Sequence, residues 1–423
     1  MSQSPTSGGG SWSVHQALLE ASRCLYCHDA PCVKGCPVEV NIPEFIRKIV
    51  TENYVGAARV VYESNVLGAV CADVCPQSEL CAKECNVAQM GEPINIGRLQ
   101  KFAVLQSRPK QAEILAQRKR VAVIGAGPAG LSGAYALARQ GYRVAVMEAR
   151  LEAGGTTLWG IPPCRLESAV FAHDLARIQE LVPDMRFGVE IGHEMSTEAL
   201  LAEFDAILLS CGLGRGRTLD IPGTELSGIM SAEQMLTEYN TTAKKGLNAA
   251  SIAGKRVIVI GGGNTAMDVA TVARRAGANV TVLYRRTLGE MTAWQEEYQS
   301  ASSQGVEFRW QTAPVAILGQ THVTAVRAVY MQSGRHDSPP GSLEQVQNSE
   351  HDISCDLVVV AIGQVANPLV QELSDQAKVF LAGDALNGGA TVVQAVAEGQ
   401  QAALAIDSFL RPANVLGGGN SYA

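Results

Sequence analysis

Eight of the eleven cysteines fall between Cys24 and Cys85, in two runs, CLYCHDAPCVKGCP and CADVCPQSELCAKEC. Thiols at this density are expected to be crosslinked, to bind a metal or to hold a cluster, with unrelated buried thiols as the remaining reading. Each of the first three fixes the loops that carry them before any packing is considered.

The first run sets Cys24, Cys27, Cys32 and Cys36 before Pro37. Bacterial ferredoxins use C-x2-C-x2-C-x3-C-P, in which the fourth cysteine ligates the other cluster of a pair. Here the middle gap is four residues, so the logic of the run matches and the string does not. The second run places Cys71, Cys75, Cys81 and Cys85, again with a Cys-Pro step at Cys75-Pro76. Eight thiolates suit two [4Fe-4S] clusters, and soft sulfur ligands select iron–sulfur or zinc. Structural zinc sites favour paired C-x2-C knuckles, which the second run lacks, so zinc stands as the alternative. A disulfide framework calls for an oxidising compartment and a small domain. The opening MSQSPTSGGGSW has no basic region followed by an apolar core, and reads as a tail, not an export signal.

A length of 423 residues allows two or three domains of ~100–200 residues each. With 42 glycines and 5% aromatic residues, the composition suits an α/β protein rich in tight turns. A formal net charge of −7 argues against a nucleic-acid partner, which asks for a basic face. The most apolar stretch, 121–138, is punctuated by glycine and reads as strand, turn and buried helix, with no membrane span. Cysteine usage and the missing targeting signals together point to the cytoplasm.

From about Ser13 to Ser107 the punctuation is helical. Asn41 caps a helix with Pro43 in its first turn and Phe45, Ile46, Ile49 and Val50 on one stripe; Asn53 caps a second through YVGAARVVYES. RPKQAEILAQRKR reads as a linker helix. Two strand–glycine-loop–helix units follow, at 121–149 and 256–285, and DAILLSCGLG and DLVVVAIGQ mark corresponding strands in each. The expected fold is α/β: an all-α iron–sulfur domain (1–115), then two nested Rossmann-like domains. The FAD-binding one (116–212 and 364–423) is interrupted by a nicotinamide-binding one (213–363).

VAVIGAGPAG sets Gly125, Gly127 and Gly130 in the G-x-G-x-x-G fingerprint, with Pro128 and Ala129 opening the helix. The first glycine allows the turn, the second admits a pyrophosphate, the third lets helix and strand pack, and the helix N-terminus favours the anion. Glu148 ends the next strand at the spacing of a ribose acceptor. Gly154-Gly155 sit where two-dinucleotide flavoproteins continue along FAD, and the late AGD, with Gly383 and Asp384, is the mark that distinguishes FAD from NAD. In that class the Asp meets the ribityl chain, and Thr391 and Val392 start a helix facing the flavin.

RVIVIGGGNTAMDVA supplies Gly261 and Gly263, with Asn264 and Thr265 at the helix start and Ala266 at the third position, the nicotinamide variant. The next strand ends on Tyr284, Arg285 and Arg286, where an NAD site would hold an acid. Two guanidiniums match a 2′-phosphate, pointing to NADP(H) over NAD(H).

In this order the motifs resemble the iron–sulfur flavoprotein part of dihydropyrimidine dehydrogenase, and also the glutamate synthase small subunit. EASRCLYCHDAPC, NYVGAARVV, NVLGAVCADVCP and EPINIGRLQKF favour the former. The resemblance implies one cluster on Cys24, Cys27, Cys32 and Cys85, and another on Cys36, Cys75, Cys81 and Gln100, leaving Cys71 over. It carries Glu148, Arg165, Asp384 and Thr391 to FAD. The chain departs from the pattern at Cys164, where an aromatic precedes the arginine, and at Thr156-Thr157, where an aliphatic follows the glycine pair.

The implied reaction passes a hydride from NAD(P)H to FAD, then single electrons through two clusters to a partner. None of the seven histidines sits in a motif, and His28 reads as a loop residue. The chain closes on GGGNSYA without a second catalytic barrel, so the terminal acceptor is expected on another polypeptide. By resemblance that partner carries FMN and reduces uracil or thymine to the 5,6-dihydro form. The alternatives are a glutamate synthase partner, a stand-alone NADPH:ferredoxin oxidoreductase, or a non-catalytic metal-stapled interaction protein.

Overall fold

The computed structural model describes residues 12–106, 109–111, 119–244, 252–334 and 341–411. The boundary expected near residue 115, most of the linker RPKQAEILAQRKR and both tails lie outside the described residues.

The N-terminal segment is helical: α1 (Val14–Ala21), α2 (Pro31–Lys34), α3 (Ile42–Val50), α4 (Tyr54–Ser64), α5 (Gly68–Val74) and α6 (Ile96–Gln106). Side-chain caps set three of these starts, the first of them Ser13, whose Oγ accepts from Gln16 N ahead of α1. Asn41 Oδ1 accepts from Glu44 N and Asn53 Oδ1 from Gly56 N, replacing partners the first turn lacks. Ile42, Phe45, Ile46 and Ile49 form the buried stripe of α3, but Val50, expected on it, is 39% exposed. It is the last residue of its helix, so Ile42, one turn before Phe45 and Ile46, takes the place assigned to it.

The first nucleotide fold runs β1 (Arg120–Ile124), α7 (Pro128–Arg139), β2 (Arg143–Glu148), α8 (Thr156–Trp159), α9 (Ser168–Leu181), β3 (Asp184–Phe187), α10 (Thr197–Glu203) and β4 (Ala206–Leu209). After β5 (Leu213–Gly216) come β6 (Ile229–Ser231), α11 (Ala232–Lys244), β7 (Arg256–Ile260), α12 (Asn264–Arg275), β8 (Asn279–Leu283), α13 (Gln295–Ser303) and β9 (Glu307–Arg309). An antiparallel sheet follows, from β10 (Thr312–Gly319), β11 (Val323–Ser333), β12 (Leu343–Gln345) and β13 (His351–Ser354). Then β14 (Leu357–Val360) and β15 (Gln364–Ala366) lead to α14 (Pro368–Leu373), β16 (Val379–Leu381), α15 (Asp384–Asn387) and α16 (Val392–Leu410).

Two parallel sheets result, ordered β16-β4-β1-β2-β3 and β6-β14-β7-β8-β9. Their central strands carry apolar runs, as parallel strands covered on both faces do; β4 is buried at every position. The duplication extends to single atoms. Asp205 Oδ2 accepts from Arg120 N at 2.7 Å and Asp356 Oδ2 from Arg256 N at 2.8 Å, so in each fold an acid before one strand ties down the first residue of its neighbour. Arg256 also forks onto the Asp356 carboxylate and holds that acid down at about 2.

The described residues gather into two units, one comprising those up to Thr157, Arg165–Leu213 and from Ala366 onward, the other Leu158–Cys164 and Gly214–Val365. The helical segment and the first nucleotide fold therefore share a unit. β5 and β15 pair with each other as a two-stranded ribbon where the chain leaves and re-enters the first fold. The short piece Leu158–Cys164 belongs with the second unit, which the sequence did not announce. Buried Asn240 on α11 holds it, donating from Nδ2 to Trp159 O at 2.9 Å and Ile161 O at 3.0 Å. No helix among the described residues is long and apolar enough to cross a membrane.

Candidate functional site

The cysteine loops are built on strained backbone. Tyr26, Ala30 and Glu39 take left-handed φ values of 51°, 40° and 50°, which non-glycine residues adopt only when their surroundings compel them. These turns aim peptide N–H groups at sulfur: Tyr26 toward Cys24, and Val38, Glu39 and Val40 toward Cys36. Asn86 Nδ2 adds a side-chain donor to Cys27 Sγ at 3.4 Å. Such donors favour thiolate over thiol.

The eight thiols fall into two neighbourhoods. Cys24 lies near the charges of Cys85 and Cys27, and Cys32 near those of Cys85, Cys24 and Cys27. Cys36 neighbours Cys71; Cys75 neighbours Cys71, Cys81 and Cys36. Cys81 lies beside Cys36 and also Cys32, where the two groups adjoin. Thus Cys36 leaves the first run for the second group, and Cys85 makes the reverse exchange. Burial pushes the Cys32 and Cys81 thiols up to about 12, so these sulfurs ionise only with a positive centre among them. Among the described residues no three His, Cys, Asp or Glu side chains close on a single ion position. His28 is exposed.

Gln100 and Cys71 are both buried. Gln100 Nε2, on α6, donates to Gly68 O at 2.7 Å, which fixes the amide against the start of α5. Cys71 shares a hydrogen bond with Cys75. Gln100 is thus held on the first residue of α5, the helix that carries Cys71.

The first glycine loop is closed by backbone contact. A Cβ on Gly130 would stand 1.9 Å from Gly125 O, whereas one on Gly127 would meet Gly155 Cα at 3.8 Å. Gly155, at φ +52°, places its own Cβ direction 2.9 Å from Gly127 Cα, so the two loops pack glycine on glycine. Gly127 ends this loop as the N-cap of α7 and offers no side-chain acceptor, leaving the helix N-terminus to an outside anion. Glu148 carries a task the sequence does not reveal: its carboxylate accepts from Ala126 N at 2.8 Å and Arg150 N at 2.9 Å, bracing the loop from below. Thr157 explains the departure after the glycine pair, since its hydroxyl is buried on Gly154 O at 2.6 Å. Arg165 is half-buried just after the piece held by Asn240.

The late motif returns to the same loop. Gly383, at φ +68°, would set a Cβ 2.7 Å from the Ala129 side chain, and Ser132 Oγ donates to Val396 O, locking α16 to α7. Asp384 Oδ1 accepts from Ala390 N at 3.3 Å; burial pushes its carboxyl above the ordinary range. Thr391 caps α16 in a reciprocal box with Gln394, and Val392 is the first helical residue, as expected.

In the second unit, Gly261 takes φ +145° with a Cβ direction 2.2 Å from Ala361 O, the counterpart of Gly125 against Ser210 O. Gly263 is the N-cap of α12 and again provides no side-chain cap, with Thr265 exposed beside it and Ala266 fully buried. Asn264 is engaged, accepting from Trp294 N at 2.9 Å. The arginine pair divides. Arg286 is bound to Glu290 and to Gly341 O, while Arg285 is exposed and makes no ion pair or hydrogen bond among the described residues.

Two family models match. Residues 9–112 match dihydropyrimidine dehydrogenase domain II, 4Fe-4S cluster, and residues 119–399 match pyridine nucleotide-disulphide oxidoreductase. The NAD-dependent dihydropyrimidine dehydrogenase subunit PreT of Escherichia coli K12 is 36% identical over 94% of this chain and 95% of its own length. The glutamate synthase [NADPH] small chain of Halomonas elongata is 33% identical over 94% of this chain and 92% of its own. FprA of Mycobacterium tuberculosis, solved in complex with NADPH, is 17% identical and shares the fold at a TM-score of 0.57, over 69% of this chain and 84% of that one.

Proposed function

Because this chain belongs to the pyridine nucleotide-disulphide oxidoreductase family and carries the dihydropyrimidine dehydrogenase 4Fe-4S domain ahead of it, we propose that it is the electron-input subunit of a dihydropyrimidine dehydrogenase. It is an NAD(P)H-dependent iron–sulfur flavoprotein oxidoreductase and works as an electron-transfer subunit. Bound to it, FAD supplies the conversion between the hydride of nicotinamide and the single electrons that clusters accept.

The residues fit these groups. At the first loop Gly125, Gly127, Pro128, Ala129 and Gly130 present an uncapped helix to the FAD pyrophosphate, in a cradle that side chains would fill. Glu148 keeps carboxylate lone pairs for the ribose while bracing that loop, and Gly155, Arg165, Gly383, Asp384, Thr391 and Val392 line the rest of the flavin path. At the second loop Gly261, Gly263, Asn264, Thr265 and Ala266 take the nicotinamide coenzyme, with Arg285 at its ribose and Arg286 next to it, bound to Glu290. Cys24, Cys27, Cys32 and Cys85 hold one [4Fe-4S] cluster; Cys36, Cys75, Cys81 and Gln100 hold a second. The carrying observation is the exchange of Cys36 and Cys85 between the runs, because it interlocks the two cysteine groups as paired clusters require. Thiolate ligands need a reducing compartment, which the cytoplasm supplies.

The partner, on this reading, carries FMN and reduces uracil or thymine to the 5,6-dihydro form. The name of the PreT relative supports it, and the glutamate synthase likeness supports a second reading with a different large subunit. Anaerobic co-purification separates them. An FMN subunit that reduces pyrimidines with this chain and NAD(P)H upholds the first; a large glutaminase-bearing subunit overturns it.

A further inference from the structure

Taking the second fold as the nicotinamide coenzyme site, as above, we propose that Glu290 sets its coenzyme preference. It does so by holding Arg286 out of reach of a ribose 2′-phosphate and leaving Arg285 to meet that group alone.

The chain turns sharply after β8, and Glu290 is the residue that closes the turn. Its Oε2 accepts from Thr287 N at 3.1 Å and Thr287 Oγ1 at 2.8 Å, while its Oε1 takes Arg286 Nη1 at 3.0 Å. The other end of the guanidinium, Nη2, donates to Gly341 O at 2.9 Å. The side chain offered to a 2′-phosphate by sequence position is thus already held on both sides. A forked phosphate contact would have to break one of these bonds.

The turn itself is seated on the glycine loop. Tyr284 Oη donates to Glu290 O at 2.9 Å, and a Cβ on Gly262 would strike the Tyr284 ring at 2.4 Å. Beyond it, Ala293 N donates to Gly262 O at 3.0 Å, Thr292 Oγ1 to the same oxygen at 3.3 Å, and Trp294 N to Asn264 Oδ1 at 2.9 Å. Residues 287–294 therefore form a strap whose position the nucleotide loop dictates, and Glu290 cannot drift away from Arg286 without unseating it.

Charge completes the effect. The Thr287 hydroxyl and amide, then Arg286, hold the Glu290 carboxyl below the usual carboxylate range, so it is ionised at neutral pH. Two arginines and one carboxylate leave a single net positive charge at the strand end, and the carboxylate repels a dianionic phosphate. A coenzyme without that phosphate feels neither term. NADH and NADPH then approach equality, where a free arginine pair would favour NADPH strongly.

The test uses the holoprotein and two adenosine probes, measured by calorimetry. In wild type, adenosine 2′,5′-bisphosphate and adenosine 5′-monophosphate bind with similar affinity. Glu290→Gln keeps a hydrogen-bond acceptor for Thr287 and removes the charge. It tightens the bisphosphate about tenfold, corresponding to ~1.4 kcal/mol, and leaves the monophosphate unchanged. The KM for NADPH falls in parallel, while kcat and the KM for NADH hold. Arg285→Ala weakens only the bisphosphate. If Glu290→Gln leaves both probes unchanged, or moves both together, Glu290 has no selective role. Wild-type protein that binds neither probe removes the coenzyme-site reading itself, and the proposal with it.

Discussion

Asp174 Oδ2 accepts from the backbone amide of Val70 at 3.0 Å, and from that of Ala69 at 2.9 Å. Asp174 lies on α9 of the first nucleotide fold, and Val70 on α5, the helix that carries Cys71 and ends at Cys75. Leu67, the N-cap of α5, offers no side-chain acceptor, so a fully buried acid from another part of the chain does the capping. Tyr62 Oη donates to its second oxygen at 3.2 Å.

Asp174→Ala leaves two buried amides without an acceptor. The expected loss is about 1–3 kcal/mol for each, read by urea denaturation of the anaerobic protein. Iron content should fall with it, since Cys75 is the C-cap of α5. A loss under ~0.5 kcal/mol would mean that α5 is held by apolar packing alone.

Burial raises the Asp174 carboxyl from its ordinary value to about 7, against the pull of the Val70 amide, Tyr62, the Ala69 amide and Arg177. The native state therefore keeps a proton that the unfolded chain releases near pH 4. This stabilises the fold at the acid end, and the contribution fades as the pH climbs from about 4 to about 7. Relative to Asp174→Asn, wild type should lose on the order of 1 kcal/mol per pH unit between pH 5 and 7. A stability difference that is flat across that window contradicts the shift.

Ligand assignment is open to a paired substitution. With Gln100 as the eighth ligand, Cys71→Ala retains about eight iron atoms per chain and both cluster signals in electron paramagnetic resonance. Gln100→Ala loses or alters one signal. The reverse pattern would transfer the role to Cys71, which the structure keeps buried against Cys75.

Two glycines of one loop should fail in different ways. Gly130→Ala collides with Gly125 O and destabilises the fold by about 1–3 kcal/mol or more. Gly127→Ala meets only ordinary contact within the protein, so it should fold normally and yet purify with little FAD. Flavin retained in folded Gly127→Ala would place the pyrophosphate elsewhere.

Most of the backbone plan was legible because it rests on short-range signals. Asn41 and Asn53 announce their helices, the glycine loops announce their strands, and Asp205 and Asp356 mark equivalent strands through equivalent bonds. The exchange of Cys36 and Cys85 follows at the level of sequence only from what the family resemblance implies. What escaped depends on partners far along the chain. Asp174 is 104 residues from Val70, and Asn240 is 81 residues from Trp159. Neither leaves a periodic trace. Glu290 escaped for another reason: it reads as a surface acid until the strap brings it onto Arg286. The division between Arg285 and Arg286 follows from that contact, and no charge count along the strand would find it.

The central claim is that one chain joins a nicotinamide site, a flavin and two clusters. Anaerobic titration of the holoprotein with NADH and with NADPH, without any partner, tests it most directly. Flavin absorbance and the broad visible cluster band should both bleach, with reduced-cluster paramagnetic resonance signals appearing, at about two coenzyme molecules per chain. Bleaching of the flavin alone, complete at about one equivalent with the clusters still oxidised, would contradict the account.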